Sequence, residues 1–170
     1  MRLRDKRAVI TGASSGIGRA IAVAFAREGA SVVVNYARSV AGAGETVKLI
    51  TAGGGSGSKI QADVSNVKDV HRLVHESKRL LGGIDIWANI AGADILTGAT
   101  AKLEDVEKLS RLIDVDLRGT MLCSWKVAEI MRTQASGVIL NMSWDMALAG
   151  MAERNPEMFA AIKAGVTGLT

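Results

Sequence analysis

The sequence predicts an α/β fold: a doubly wound parallel sheet in three layers, with helices on both faces. Two observations predict it. Apolar residues alternate between short strand-like runs and helical stripes along the chain, and a glycine-rich turn, Thr11-Gly12-Ala13-Ser14-Ser15-Gly16-Ile17-Gly18, links the first strand to the first helix.

The first strand is Ala8, Val9 and Ile10. After the turn, Ile17, Ile21, Ala24 and Phe25 share one helical face, and Gly29 ends that helix. Ser31 to Tyr36 reads as strand two, followed by a helix around Ala43 to Ala52. Gly53-Gly54-Gly55-Ser56-Gly57-Ser58 reads as a flexible connection into strand three, Lys59 to Val64. Ser65 or Asn66 caps the next helix, whose stripe runs Val67, Val70, Val74 and Leu81 before Gly82-Gly83. Ile84 to Asn89 is strand four. The pattern is helical from about Leu103, and a longer helix from Leu117 to Thr133 carries Leu117, Met121, Ser124, Ala128 and Met131. That helix has more apolar positions than one core-facing stripe needs. Val138 to Met142 is strand five. Asn155 as cap and Pro156 as first helical residue open a last helix bearing Phe159, Ile162, Val166 and Leu169.

Composition narrows the function classes. At 170 residues, 48% of them hydrophobic, the chain has the size of one domain, 1–170, with a sizeable core. The net charge of +4 is spread among acidic residues, so a nucleic-acid partner is not expected, whereas a cofactor carrying several phosphates suits a mildly positive field. His71 and His75 have ligand spacing but no third partner, so no metal site is expected. The charged N-terminus leads into too few apolar residues for a signal peptide, and the longest apolar run, Ala20 to Ala26, is too short to span a bilayer. With one cysteine, Cys123, the expectation is a cytoplasmic protein without a membrane partner.

The glycine turn points to chemistry. A pyrophosphate is held at a helix start only where backbone N–H groups approach it closely, which excludes bulky side chains. Gly12 permits the tight turn, Gly16 admits the main chain to the phosphates, and Gly18 lets the helix pack on the sheet. Ser14 and Ser15 add hydroxyl donors.

With these motifs in register, the chain resembles the short-chain dehydrogenase/reductase family, its 3-oxoacyl reductases in particular. Thr11 to Gly18, including Ile17, matches the family's TGxxxGIG cofactor loop. The resemblance implies a Rossmann-like sheet that is incomplete at the C-terminal side, because the family continues into two more strands and a substrate-covering segment. Asp63-Val64 looks like the pair that binds the adenine ring. Asn89-Ile90-Ala91-Gly92 is similar to the NNAG element beside the adenine ribose, with Ile90 in place of the second Asn. At the end of strand two an acid would favour NAD. The chain instead has Arg38 and Ser39, which favours NADP(H) over NAD(H).

The catalytic positions depart from the pattern. In the family a Tyr donates the proton, a Lys lowers its pKa and holds the nicotinamide ribose, a Ser steadies the carbonyl oxygen and an Asn completes the relay. Here Lys163 is retained, Phe159 replaces the Tyr, and Asp116 replaces the Asn. Trp144 falls where the Ser is expected. Ser143, one residue earlier, is a stand-in whose side chain should point to the opposite face. Two readings follow. The first is an NAD(P)(H)-dependent oxidoreductase acting on a small carbonyl or alcohol, a homo-oligomer through the helices beginning near Leu117 and Asn155. The second is a catalytically impaired dinucleotide-binding subunit with a regulatory or assembly role.

Overall fold

Runs of β-branched residues pair side by side at the centre of the sheet: Arg7–Ile10 (β1) lies between Ser31–Tyr36 (β2) and Ile86–Asn89 (β4). The structure is a computed structural model that describes residues 1–169; Thr170 lies outside the described residues. Ser56–Gln61 (β3) and Val138–Asn141 (β5) complete a five-stranded sheet of order β3-β2-β1-β4-β5, every neighbouring pair parallel. The helices are Gly16–Arg27 (α1), Val40–Ala52 (α2), Val67–Leu81 (α3), Asp105–Leu112 (α4), Thr120–Gln134 (α5) and Arg154–Leu169 (α6). A π-helical segment, Ile113–Gly119, joins α4 directly to α5.

The period of two along the strands divides the core in two. Val9, Val33 and Trp87 point to one face, where Val70, Leu73 and Val74 of α3 and Cys123 and Val127 of α5 cover them. Ala8, Ile10, Val32, Val34 and Ala88 point to the other, beneath Ala22 and Ala26 of α1 and Ala43 and Ile50 of α2. This is the three-layered α/β fold that the alternation predicts. A smaller cluster of Ile95, Leu112 and Ile162 seats α6 beyond the sheet.

Several boundaries differ for identifiable reasons. The glycine-serine stretch is not a connection: Ser56, Gly57 and Ser58 pair with Ser31, Val32 and Val33, and β3 ends at Gln61. A Cβ at Gly57 would lie 3.0 Å from Ile50 Cγ2, so α2 closes over a strand that has no room for side chains there. β4 starts at Ile86, two residues later than expected, and just before it the Asp85 side chain is held by Arg7, whose Nε donates to Oδ2 at 2.8 Å and whose Nη2 donates to Oδ1 at 2.7 Å. Asn66 caps α3, accepting from Lys68 and Asp69. The long helix buries Ser124 and Met131 as expected, but with Thr120, Cys123 and Val127 in place of Met121 and Ala128, so the buried face is shifted by about one residue. α6 opens at Arg154, one residue before Asn155.

Candidate active site

The chain leaves β1 into α1 on one face of the sheet and leaves β4 toward α5 on the other. A crevice opens where neighbouring parallel strands part in this way, beyond their C-terminal ends. The glycine turn follows β1 and the 90–93 loop follows β4, so both border it.

Each glycine answers a separate steric demand. Gly12 has φ +64, and a Cβ there would lie 2.7 Å from Ala91 Cα. At Gly18 a Cβ would lie 2.5 Å from Gly12 O, so α1 sits hard on the turn. Gly16, with φ +52, has nothing beyond its own chain neighbours and helix backbone within 4 Å of an added Cβ; the turn faces open space there. Ser15, at the start of α1, makes no side-chain cap, and Ile17 is 61% exposed. An uncapped helix start behind an open glycine turn is the arrangement a pyrophosphate fits.

Thr11, the first residue of the motif, and two residues outside it hold this turn in place. The Thr11 hydroxyl accepts from the N–H groups of Ile90 and Ala91, at 2.9 and 3.1 Å, and so binds the two walls together. Buried Asn35 accepts from Gly12 N and donates to Ile60 O and Ala62 O. Arg19 donates to Ser14 O at 2.6 Å and to Gly42 O, tying α2 to the turn. Sequence reasoning assigned none of the three a role. A buried Asn inside an otherwise apolar strand was the available signal for Asn35.

The remaining cofactor-side positions are near the crevice with unequal freedom. Arg38 is exposed, and Ser39 Oγ caps α2 by accepting from Gly42 N at 3.1 Å. Asp94, on the opposite wall, has its carboxyl held below the usual range by the Thr97 hydroxyl first, then by the N–H groups of Leu96 and Thr97, with a smaller contribution from the charge of Arg38. Asp63 Oδ1 is engaged by the backbone N–H and hydroxyl of Ser65. Val64 is buried, with both its side chain and its carbonyl against Gly119. Asn89 is committed internally: it accepts from Trp87 Nε1 at 2.7 Å and donates to Ser124 Oγ and Asn141 Oδ1, both at 2.9 Å. Gly92 packs on Asp116, where a Cβ would lie 3.1 Å from Oδ1.

At the other end of the crevice, three of the four positions singled out from sequence come together. Lys163 Nζ lies 3.0 Å from Asp116 Oδ1 and donates to Met142 O at 3.2 Å. The same ammonium stands 5.3 Å from the centroid of the Phe159 ring. Asp116 Oδ2 accepts from Ala93 N at 2.7 Å, so one carboxylate joins the 90–93 loop to α6. Ser143 does not join them: its hydroxyl donates to Lys163 O at 2.9 Å and meets Thr167 Oγ1 at 2.7 Å, facing α6. The extended backbone turns its neighbour Trp144 the other way, edge-to-face with Phe159 at 5.2 Å.

Trp144 and Phe159 line one end of a cavity of about 390 Å³, together with Ala93, Ile95, Leu96 and Met151. Its wall is almost wholly apolar. Neither ring offers an O–H to a bound carbonyl oxygen. His71 and His75 sit on the exposed side of α3, and among the described residues no helix is long and apolar enough to cross a membrane.

Comparison with known proteins bears on the family. The family model for short chain dehydrogenases matches residues 6–170. A 3-oxoacyl-[acyl-carrier-protein] reductase of Synechocystis is 40% identical over 166 residues, 96% of this chain and 64% of that protein. The 3beta-hydroxysteroid dehydrogenase 1 of Eggerthella lenta is 38% identical over 142 residues, 83% of this chain and 54% of that protein. The chain thus spans between 54% and 64% of the length of these relatives. A metagenomic short-chain oxidoreductase solved in complex with NADP superposes with a TM-score of 0.87 at 30% identity, covering 99% of this chain and 75% of that one. Fold, motif order and these likenesses together place the chain in the short-chain dehydrogenase family.

Proposed function

We propose that this chain binds a nicotinamide dinucleotide, NADP(H) in preference to NAD(H), and serves an oxidoreductase that exchanges an apolar ketone and its alcohol. The open glycine turn before the uncapped start of α1 carries this reading: Gly12 and Gly18 let the turn pack closely, and Gly16, which meets no packing demand, leaves it open where a pyrophosphate would sit. Arg38 with Ser39 supports the NADP(H) preference, since no acid stands there to repel a 2'-phosphate. The apolar cavity beside Phe159 supports a hydrophobic substrate, as do relatives named for 3-oxoacyl and 3beta-hydroxysteroid compounds.

When bound, the nicotinamide supplies the hydride. The main chain of residues 12–18 would take the phosphates, and the walls fixed by Thr11 would flank the adenosine. Lys163, held from two sides, would orient the nicotinamide ribose. Phe159 has no proton to give. The pairing of Phe159 with Trp144 where hydroxyls are expected favours a second reading, a slow or silent subunit that keeps dinucleotide binding. The chain is also proposed to self-associate, through the helices beginning near Leu117 and Asn155 as the sequence suggests, and an apolar stripe on α4 considered below extends the candidate surface.

Titration of NADPH and NADH against tryptophan fluorescence tests the binding reading. Saturable quenching, tighter for NADPH, is expected. No saturable signal from either nucleotide at millimolar concentration would overturn it. Turnover of a ketone such as 2-decanone with NADPH then separates the two readings.

A further inference from the structure

We propose that Asp116 is a positioning residue that cancels the charge of Lys163 at the ring of Phe159, so that the added carboxylate and the missing phenol act as one coupled change. The inference deepens the proposed oxidoreductase reading and rests on it for its functional meaning. Its physical content stands on the geometry alone.

Both partners of the pair are withdrawn from water, with side chains 7% exposed for Lys163 and 1% for Asp116. The π-helical segment aims the carboxylate inward. There Oδ1 meets the ammonium at 3.0 Å and Oδ2 is fixed by Ala93 N at 2.7 Å. Gly92 gives the carboxylate its place: a Cβ there would lie 3.1 Å from Oδ1. The ammonium lies 5.3 Å from the Phe159 centroid and has its opposite charge 3.0 Å from it. Position 159 therefore feels a compact dipole instead of a full positive charge. A lone cation beside a phenol favours the phenolate and lowers its pKa, while a neighbouring anion raises it. With Asp116 in place the two effects oppose each other, and a phenol restored at 159 would gain little acidity.

Other ionisable groups lie on the same elements: Asp94 lines the cavity with Phe159, Asp145 follows Trp144, Glu157 is on α6, Arg154 at the start of α6 pairs with Asp105 of α4, and Lys108 of α4 is buried. They are common to every variant below and drop out of the differences.

Tyrosinate absorbance reads the effect directly, because the native chain has one tyrosine, the buried Tyr36, whose signal is subtracted with the unmodified protein. Three variants are compared without nucleotide: Phe159→Tyr, Phe159→Tyr with Asp116→Asn, and Phe159→Tyr with Asp116→Asn and Lys163→Met. The double variant is expected to ionise its introduced phenol at least tenfold more than the single variant at a given pH. The triple variant is expected to titrate like the single one, since it removes both charges, and neutral replacement of a buried pair is generally tolerated in folding. Equal titration of single and double variants would overturn the proposal. So would a triple variant whose phenol ionises tenfold less than the single one, a result that also decides the matter if the double variant does not fold. Neither measurement involves a dinucleotide, so a failure here is distinct from a failure of the binding reading.

Discussion

Removing one partner of the Lys163–Asp116 pair should cost far more stability than removing both. At 3.0 Å the gross attraction is about 5–6 kcal/mol for an effective dielectric constant of about 20, and burial of both side chains offsets much of it. Asp116→Ala leaves a buried ammonium with Met142 O and the face of Phe159, and strips Ala93 N–H of its acceptor. The expected loss is about 3–5 kcal/mol. Lys163→Met keeps the Ala93 bond but strands the carboxylate, for a loss of about 3 kcal/mol. The double variant buries a thioether and a methyl group, leaving mainly the orphaned N–H and a small cavity, about 2 kcal/mol. Urea unfolding of the four proteins closes the cycle and should give a coupling energy of at least about 3 kcal/mol. Losses that add to within about 0.5 kcal/mol would refute the reasoning, because sites without coupling behave that way.

Other perturbations test other parts of the molecule. Arg38→Ala should weaken NADPH binding about tenfold and NADH binding little, by calorimetry; equal losses would show that Arg38 holds no phosphate. Val106, Leu109 and Ile113, 75%, 36% and 41% exposed, form one apolar stripe on α4 and its continuation. Sedimentation at micromolar concentration should therefore show an oligomer that Ile113→Glu shifts toward monomer, and a wild-type monomer would count against the stripe as an interface. The Arg7 side-chain bonds hold the Asp85 carboxyl below its ordinary range. The folded state thus binds fewer protons there, and this stabilisation is complete above the unfolded-state value near about 4 and lost as pH falls through the lower folded value. Arg7→Leu should flatten the acid limb of a stability-pH curve, and an unchanged limb would rule the pair out as its source. Burial pushes the Cys123 thiol up to about 12, so an aromatic disulfide reagent should leave it unmodified at pH 8 until the protein unfolds.

What was legible in the sequence depended on how each feature is built. The central strands β1, β2 and β4 and the glycine turn declare themselves, since apolar runs and glycines encode them locally. The first half of β3 does not, because Ser56-Gly57-Ser58 is shaped by the helix above it, and an edge strand that starts in small residues looks like a linker leading into a strand from Lys59. The π-helical segment is hidden for a related reason: a widened turn rephases the apolar stripe, so one continuous helical stretch reads as two helices and the buried face of α5 is misjudged. The opposite directions of Ser143 and Trp144 follow from strand periodicity, and the side chains obey it. Thr11 and Asn35 escaped because their importance lies in which loop they reach, which no spacing along the chain expresses.

The same distinction bears on the altered end of the crevice. A phosphate cradle made of main chain and glycines survives most side-chain changes, whereas a proton-handling site is a set of mutually dependent side chains. Lys163 is buried and needs polar partners; with Phe159 facing it, a ring face and one carbonyl would be all it had. A lysine in that state is strongly destabilising. Asp116 removes the problem by supplying an anion already anchored on Ala93, and the site is then complete as a packed unit without a phenol. It follows that Phe159→Tyr alone should bring little gain in ketone reduction. Phe159→Tyr combined with Asp116→Asn frees the ammonium to act on the new hydroxyl, and turnover with NADPH should rise by about 10²-fold, the low end of what a positioned general acid contributes. A gain of that size from Phe159→Tyr alone would mean that Lys163 retains its full charge at the ring despite the pair.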